Sequence, residues 1–377
     1  MGDHFAFIYS SRFADYSFGE DHPFKVQRYQ LTYELIRQLG LLTADNIRIV
    51  EAPLADEESL LSFHRADYLK TLREFSNQTT SRANFFFNLG DVENPVFPGL
   101  YDWARLGCGG TVEAARQVVR DGARVAFNMA GGYHHAHAAR ASGFSYLNDA
   151  VIAINEMLGQ GLRVAYVDID AHHGDGVQEA FYHTDRVLTI SLHESGEDFF
   201  PHTGFPWEMG EGKGFGYSVN IPFRPHSDDL IFEQSIRRIV LPLLDRYAPD
   251  VLVTQLGVDS LRTDPLTRLE MTTGSIELAA RSFLGTGIPW VAIGGGGYDK
   301  FNVCRGWALA WAIMTGKTVD DDLPPNFLKI AHDLGMKGER LRDRPHLALP
   351  DDFSRAEQTL EKVLRTLESR LFPLFGL

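Results

Sequence analysis

Val164-Ala165-Tyr166-Val167-Asp168-Ile169-Asp170-Ala171-His172-His173-Gly174-Asp175-Gly176 is the stretch from which the rest of the chain can be read. It opens on an apolar run and turns abruptly polar, with three aspartates and two histidines between Asp168 and Asp175. A strand that is apolar throughout is buried on both faces, as in a parallel sheet covered by helices. Along an extended strand, residues i, i+2 and i+4 point the same way. A strand over 164–170 that persists to its end therefore sets Asp168, Asp170 and His172 on one face. A carboxylate and an imidazole two residues apart can grip one metal ion, and zinc accepts both donors. The plainer reading is a loop whose polar side chains cap helices, but so dense a cluster after a buried strand argues for a site.

Outward from this stretch, similar short apolar runs occur at 5–9, 125–128, 187–193, 251–257 and 290–294. Helical periodicity marks 60–75, 110–120, 150–158, 230–247 and 276–284. Strands alternating with helices imply crossover connections and a parallel sheet covered on both sides. The expected fold is α/β: a single-domain, three-layer αβα arrangement over 1–377 with a mostly parallel central sheet. Ligands of such sheets bind beyond the carboxyl ends of the strands. Polar, glycine-rich residues follow the strands at 131–137, 168–175, 259–264 and 294–298, so these ends are expected to share one site. Segment 76–98 reads as a long loop near that site, and 354–372 as a surface helix ending before Pro373.

Three further groups carry chemistry. Gly131-Gly132-Tyr133-His134-His135-Ala136-His137 offers adjacent imidazoles, suited to acid–base work near neutral pH or to a second metal site. His137 carries no comparable signal and reads as structural or exposed. Asp259, after the apolar 251–253, is a third metal ligand or a helix N-cap. In Gly294-Gly295-Gly296-Gly297-Tyr298 the glycines permit close backbone approach. No Lys-Ser/Thr pair of a phosphate-binding loop follows them, and Tyr298 could donate a hydrogen bond to a carbonyl oxygen.

Composition narrows the classes. A chain of 377 residues that is 44% hydrophobic can bury a large core. Its net charge of −14, from 36 Lys+Arg against 50 Asp+Glu, argues against nucleic acid as a direct partner. Two cysteines, far apart, fit a reducing compartment without a disulfide framework. Residues 1–10 lack the pattern of a secretory signal, and no apolar run reaches the length of about 18 residues needed for a membrane span. A cytoplasmic location with no membrane partner is expected.

Together these segments resemble the histone-deacetylase-like amidohydrolases, and most closely in pattern the bacterial acetoin utilization proteins. The resemblance runs over about 5–315, with a C-terminal helical extension over about 316–377. It takes in His22-Pro23-Phe24-Lys25, Arg28, Ala141-Ser142-Gly143-Phe144 and Asp264-Pro265-Leu266. It implies zinc, one per chain, held by Asp170, His172 and Asp259. It implies His134 and His135 as tandem catalytic histidines backed by Asp168 and Asp175, and Tyr298 as the carbonyl-polarising tyrosine. Phe144 and Phe200, with Gly143 and Gly296, would line a narrow substrate channel, with Leu266 near its mouth and Glu93 at its rim. A structural K+ or Na+ is implied near Asp168, Asp170, His172, Ser191 and Leu192. The implied activity is hydrolysis of N-acetylated amines, foremost acetyl-lysine side chains of proteins, releasing acetate.

Three residues depart from the family's pattern. Glu93 stands where an aspartate is usual, Ser145 replaces a usual cysteine, and His202 replaces a usual glycine. None belongs to the implied metal set, so the chemistry is expected to survive. Competing readings are an acetylpolyamine or other small-molecule amidohydrolase, a two-metal ureohydrolase, and an acyl-lysine binding protein without catalysis. The ureohydrolase needs further carboxylates where this chain has Gly174 and Leu261.

Overall fold

A computed structural model describes residues 4–77 and 83–377; positions 78–82 of the 76–98 loop lie outside the described residues. Eight strands form one sheet: β1 (Phe5–Tyr9), β2 (Ile47–Glu51), β3 (Val125–Asn128), β4 (Val164–Asp168), β5 (Val187–Glu194), β6 (Ser218–Phe223), β7 (Val251–Gln255) and β8 (Trp290–Ile293). Their order is β2-β1-β3-β8-β7-β4-β5-β6, and every pairing is parallel. Strands β3 to β8 are buried along their whole length, as strands covered on both faces by helices are. The three-layer α/β expectation holds.

Strand order positions the site. After β3 the chain crosses to β4, and the two places between them are filled later by β7 and β8. The carboxyl ends of β3, β8, β7 and β4 therefore lie side by side, a switch point of the kind where α/β sheets bind ligands. One face of the sheet carries the helix Leu100–Val119, close enough for the Asn128 amide to donate to Gly107 O at 3.1 Å. That approach explains a glycine of the helix: a Cβ on Gly110 would stand 2.8 Å from Asn128 Nδ2. On the other face, the Trp311 ring of the helix Lys300–Met314 packs 5.1 Å from Phe7 and 6.2 Å from Phe127.

Several expected boundaries move. β4 ends at Asp168, so Asp170 and His172 belong to a turn and not to a strand face. The helix expected at 110–120 begins at Leu100, and 60–75 splits into Glu57–Leu61 and Ala66–Ser76. The 230–247 helix opens into a wider turn at Ile236–Val240, immediately before Pro242, which has no N–H to give. The C-terminal helix spans Pro350–Phe375 and runs through Pro373. Proline's fixed φ suits a helix and only one late hydrogen bond is forfeited, so the stop falls instead at Gly376, with φ of 68°.

Candidate active site

The turn after β4 is held by its own aspartates. Asp168 Oδ1 accepts from the Asp170 amide at 3.0 Å, and Asp170 Oδ1 accepts from the His172 amide at 2.9 Å. Asp259, four residues beyond β7, accepts from the Ala171 amide at 2.8 Å. These bonds gather donor atoms of Asp170, His172 and Asp259 within 4.8 Å of one another, all three residues buried. His172 Nδ1 lies 3.1 Å from Asp170 Oδ1 and 2.9 Å from Asp259 Oδ2.

Among the described residues no lysine or arginine pairs with either carboxylate, so the site lacks a fixed cation. Burial and the neighbouring Asp170 push the Asp259 carboxyl above the usual range. Burial also opposes ionisation of Asp170, but the His134 and His172 imidazoles hold it well below that range. Burial penalises the His172 imidazolium too, yet the two carboxylates push its pKa up to about 10. Two buried carboxylates and an imidazole competing for one positive charge are the donor chemistry a divalent metal satisfies. Among the described residues it is the one such group, as the shortage of ligands at Gly174 and Leu261 requires.

The loop after β3 places the paired imidazoles beside these donors. His134 Nδ1 meets Asp168 Oδ2 at 2.7 Å, His135 Nδ1 meets Asp175 Oδ1 at 2.7 Å, and the two Nε2 atoms are 3.0 Å apart. Their environments drive the rings apart. Burial disfavours a charged His134, but Asp168 and Asp170 outweigh it and push the pKa up to about 9. For His135, burial and the neighbouring His134 push it down to about 4 against the pull of Asp175. A protonated His134 can thus donate from Nε2 to a neutral His135.

Tyr298 follows the glycine turn after β8. Asp264 accepts from its backbone amide at 2.7 Å and from that of Asp299 at 3.3 Å, fixing the turn. Burial and the nearby Asp259 and Asp170 push the phenol pKa well above its ordinary value, so it stays a donor. The Gly296 amide donates to Asp170 Oδ2 at 2.7 Å.

A narrow cavity is lined by Phe144, Gly143, Ser145, His134, His135, Gly296 and Tyr298. The Phe144 and Tyr298 rings meet edge-on at 5.8 Å, and Phe200 packs edge-on to His135 at 5.0 Å. Leu266 is exposed on the loop that carries Asp264. Glu93 is turned inward: its carboxylate accepts from the Gly143 amide at 2.5 Å. His202 is exposed with φ of 66°, a left-handed conformation in which glycine is the unstrained residue. Ser191 lies on β5 in register with Asp168, its hydroxyl bonded to His193 Nδ1 at 2.8 Å, with Leu192 next to it.

Four participants were given no role from sequence. Gln255 donates to Asp170 Oδ2 at 2.6 Å, Asp264 holds the tyrosine turn, and the Phe199 ring stacks on His172 at 4.6 Å. Arg28 is buried in the cavity wall and donates to Gly297 O at 3.0 Å, with its Nε unpaired. Arg28 and Asp264 fall within segments that carry the family resemblance, and Gln255 lies four residues before Asp259. His137, expected to be structural or exposed, packs against Asp175 and Glu179.

A parallel α/β sheet whose switch point gathers one buried three-donor set beside two imidazoles defines the arginase–deacetylase class of fold. Within that class the chain belongs to the histone deacetylase family: the family's histone deacetylase domain model matches residues 22–314. The chain is 38% identical over 324 residues to histone deacetylase RPD3 of Saccharomyces cerevisiae, spanning 85% of this chain and 74% of the relative. It is also 38% identical over 330 residues to the acetoin utilization protein AcuC of Bacillus subtilis, covering 85% of each. A solved crystal structure of a histone deacetylase homologue complexed with SAHA superposes with a TM-score of 0.86 at 31% identity. That match covers 96% of this chain and 100% of the solved one. No helix among the described residues is long and apolar enough to cross a membrane.

Proposed function

We propose that the chain is a zinc-dependent deacetylase that hydrolyses the amide of acetyl-lysine side chains in proteins, releasing acetate, and that it acts in the cytoplasm. The observation that carries this reading is the pair of imidazoles, each tied to its own carboxylate, beside the three-donor set. Asp170, His172 and Asp259 would hold the zinc, which when bound polarises the acetyl carbonyl and lowers the pKa of water toward about 7. A structural K+ or Na+ at Asp168, Asp170, His172, Ser191 and Leu192 belongs to the same reading.

His135 is the general base. It is neutral, its Nδ1–H points to Asp175, and its Nε2, which meets His134 Nε2 at 3.0 Å, carries no proton and can accept one from the attacking water and return it to the leaving amine. His134 stays cationic against Asp168 and stabilises negative charge as it develops. The pair titrates as a unit, so the split of labour belongs to the pair. Tyr298 donates its O–H to the oxyanion. Phe144 and Phe200 exclude water and admit a thin, extended acylated chain, while Glu93 shapes the rim through Gly143.

A metal-loaded preparation assayed on a fluorogenic acetyl-lysine peptide and on acetylspermidine, with and without chelator, tests the reading. Chelator-sensitive turnover of the peptide is expected. Turnover of acetylspermidine alone would move the substrate to small acetylated amines with the same chemistry, and turnover of neither would overturn deacetylation.

A further inference from the structure

The first two histidines of the 131–137 loop enter the mechanism above; the third does not. Yet His137 is only 16% exposed, and its ring lies between two carboxylates of one helix. That helix, Asp175–Phe181, begins with Asp175 and carries Glu179 one turn on, so both acids point from the same face. His137 Nδ1 is bonded to Glu179 Oε2, and its Nε2 stands 3.5 Å from Asp175 Oδ2. The other Asp175 oxygen, Oδ1, is the one that holds His135 Nδ1 at 2.7 Å. Each oxygen of this carboxylate thus faces one imidazole.

We propose that His137 is a positioning residue for the hydrolysis, acting on His135 through the Asp175 carboxylate that the two imidazoles share. The inference rests on the deacetylase reading of the site. A carboxylate held at one oxygen can swing about its Cβ–Cγ bond, and the ring it orients then loses its fixed tautomer. Such outer partners set the orientation and basicity of a working histidine. His137 faces the second oxygen of Asp175 at 3.5 Å, an ion-pair contact without a hydrogen bond, and so favours the carboxylate orientation in which His135 keeps its Nδ1–H on Oδ1 and its Nε2 unprotonated. The His137 backbone is anchored as well, its amide donating to Arg140 O at 2.9 Å. Glu179 is 62% exposed and closes the chain at the surface.

Charge supports the same arrangement. Burial penalises the His137 imidazolium, but Asp175 and Glu179 push its pKa up to about 9. It is therefore cationic at neutral pH and keeps the buried Asp175 ionised. Arg140 near Glu179, and Glu93 and the cationic His134 near Asp175, are the other charged side chains acting on this group of residues.

The test compares metal-loaded wild type with His137→Ala, His137→Gln and Glu179→Gln on the acetyl-lysine peptide. In His137→Ala kcat is expected to fall about tenfold, the lower end for loss of such a partner, with KM and metal content unchanged. His137→Gln keeps a donor toward Asp175 and is expected to recover most of the loss, with Glu179→Gln falling between. Wild-type kcat in His137→Ala, or equal losses in the Ala and Gln variants, would overturn the proposal. Should His137→Ala fail to fold, the same comparison is made with His137→Gln and Glu179→Gln, and wild-type kcat in both overturns it.

A second readout does not need turnover. In protein labelled with 15N-histidine, the downfield His135 Nδ1–H resonance should move upfield in His137→Ala, or in Glu179→Gln. An unmoved resonance overturns the proposal. A moved resonance in a chain that deacetylates nothing upholds the coupling and instead refutes the deacetylase reading.

Discussion

Tyr298 is held by its backbone and used by its ring. Asp264 accepts from its amide and from that of the next residue, while the side chain lines the cavity that Asp170 also lines. Because burial and the nearby carboxylates raise its pKa, the hydroxyl remains a donor across the working range and strengthens its bond as negative charge develops on the carbonyl oxygen. Removing that one donor typically costs about 10²–10³ in rate. Tyr298→Phe is therefore expected to lose deacetylation by about that factor while binding metal as the wild type does, since Tyr298 is not in the donor set. Single-turnover kinetics alongside metal analysis check both halves; full activity would remove Tyr298 from the mechanism.

At the scale of elements, the turn after β8 shows why four glycines stand in a row. A Cβ on Gly296 would lie 2.1 Å from Asp259 Oδ2 and 2.7 Å from Asp170 Oδ2, inside the donor set. Gly296→Ala is expected to weaken metal binding severely while leaving far-UV circular dichroism unchanged; unaltered affinity in a zinc-competition titration would contradict it. The C-terminal helix, outside the residues the family model matches, is no loose appendage: Leu360, Leu364, Leu367 and Leu371 are buried beneath it. Leu367→Ala should cost about 2–5 kcal/mol, seen as a lower melting temperature without loss of activity per folded molecule. These elements also mark what could be read from sequence. β4, β5, β7 and β8 were legible because a strand buried on both faces is mostly apolar along its length. The edge strand β2 was not, since none of its residues is fully buried and Ile49 is half exposed. The helix Lys300–Met314 is buried on almost every side, so it shows no amphipathic period. At the site, the donors announced themselves by type and density. Phe199 and the role of His137 were invisible because each acts only through a neighbour that folding supplies.

For the molecule as a whole, the donor set ties metal, protons and stability together. In the metal-free protein His172 has its pKa raised to about 10, burial being outweighed by Asp170 and Asp259, against about 6.5 in the unfolded chain. The folded state then binds more protons than the unfolded one, so this contribution is complete below about pH 6.5 and fades as pH rises toward about 10. Asp259 acts in the same direction. Its raised pKa means the folded protein retains a proton the unfolded chain releases near about pH 4, and stability falls as that proton leaves. Both groups therefore make the chelated protein weaker with rising pH. A bound divalent cation takes the place of those protons, because metal ligands bind deprotonated. Metal at a hundred times its Kd adds about 2.7 kcal/mol to folding, and the apparent Kd itself tightens as the ligands lose their protons. The difference in melting temperature between loaded and chelated protein is thus expected to widen steadily from pH 5.5 to pH 9. Groups outside the site, such as the surface ion pairs, titrate alike in both forms and cancel in that difference. A gap that stays constant over this range would mean that the metal is not held by Asp170, His172 and Asp259.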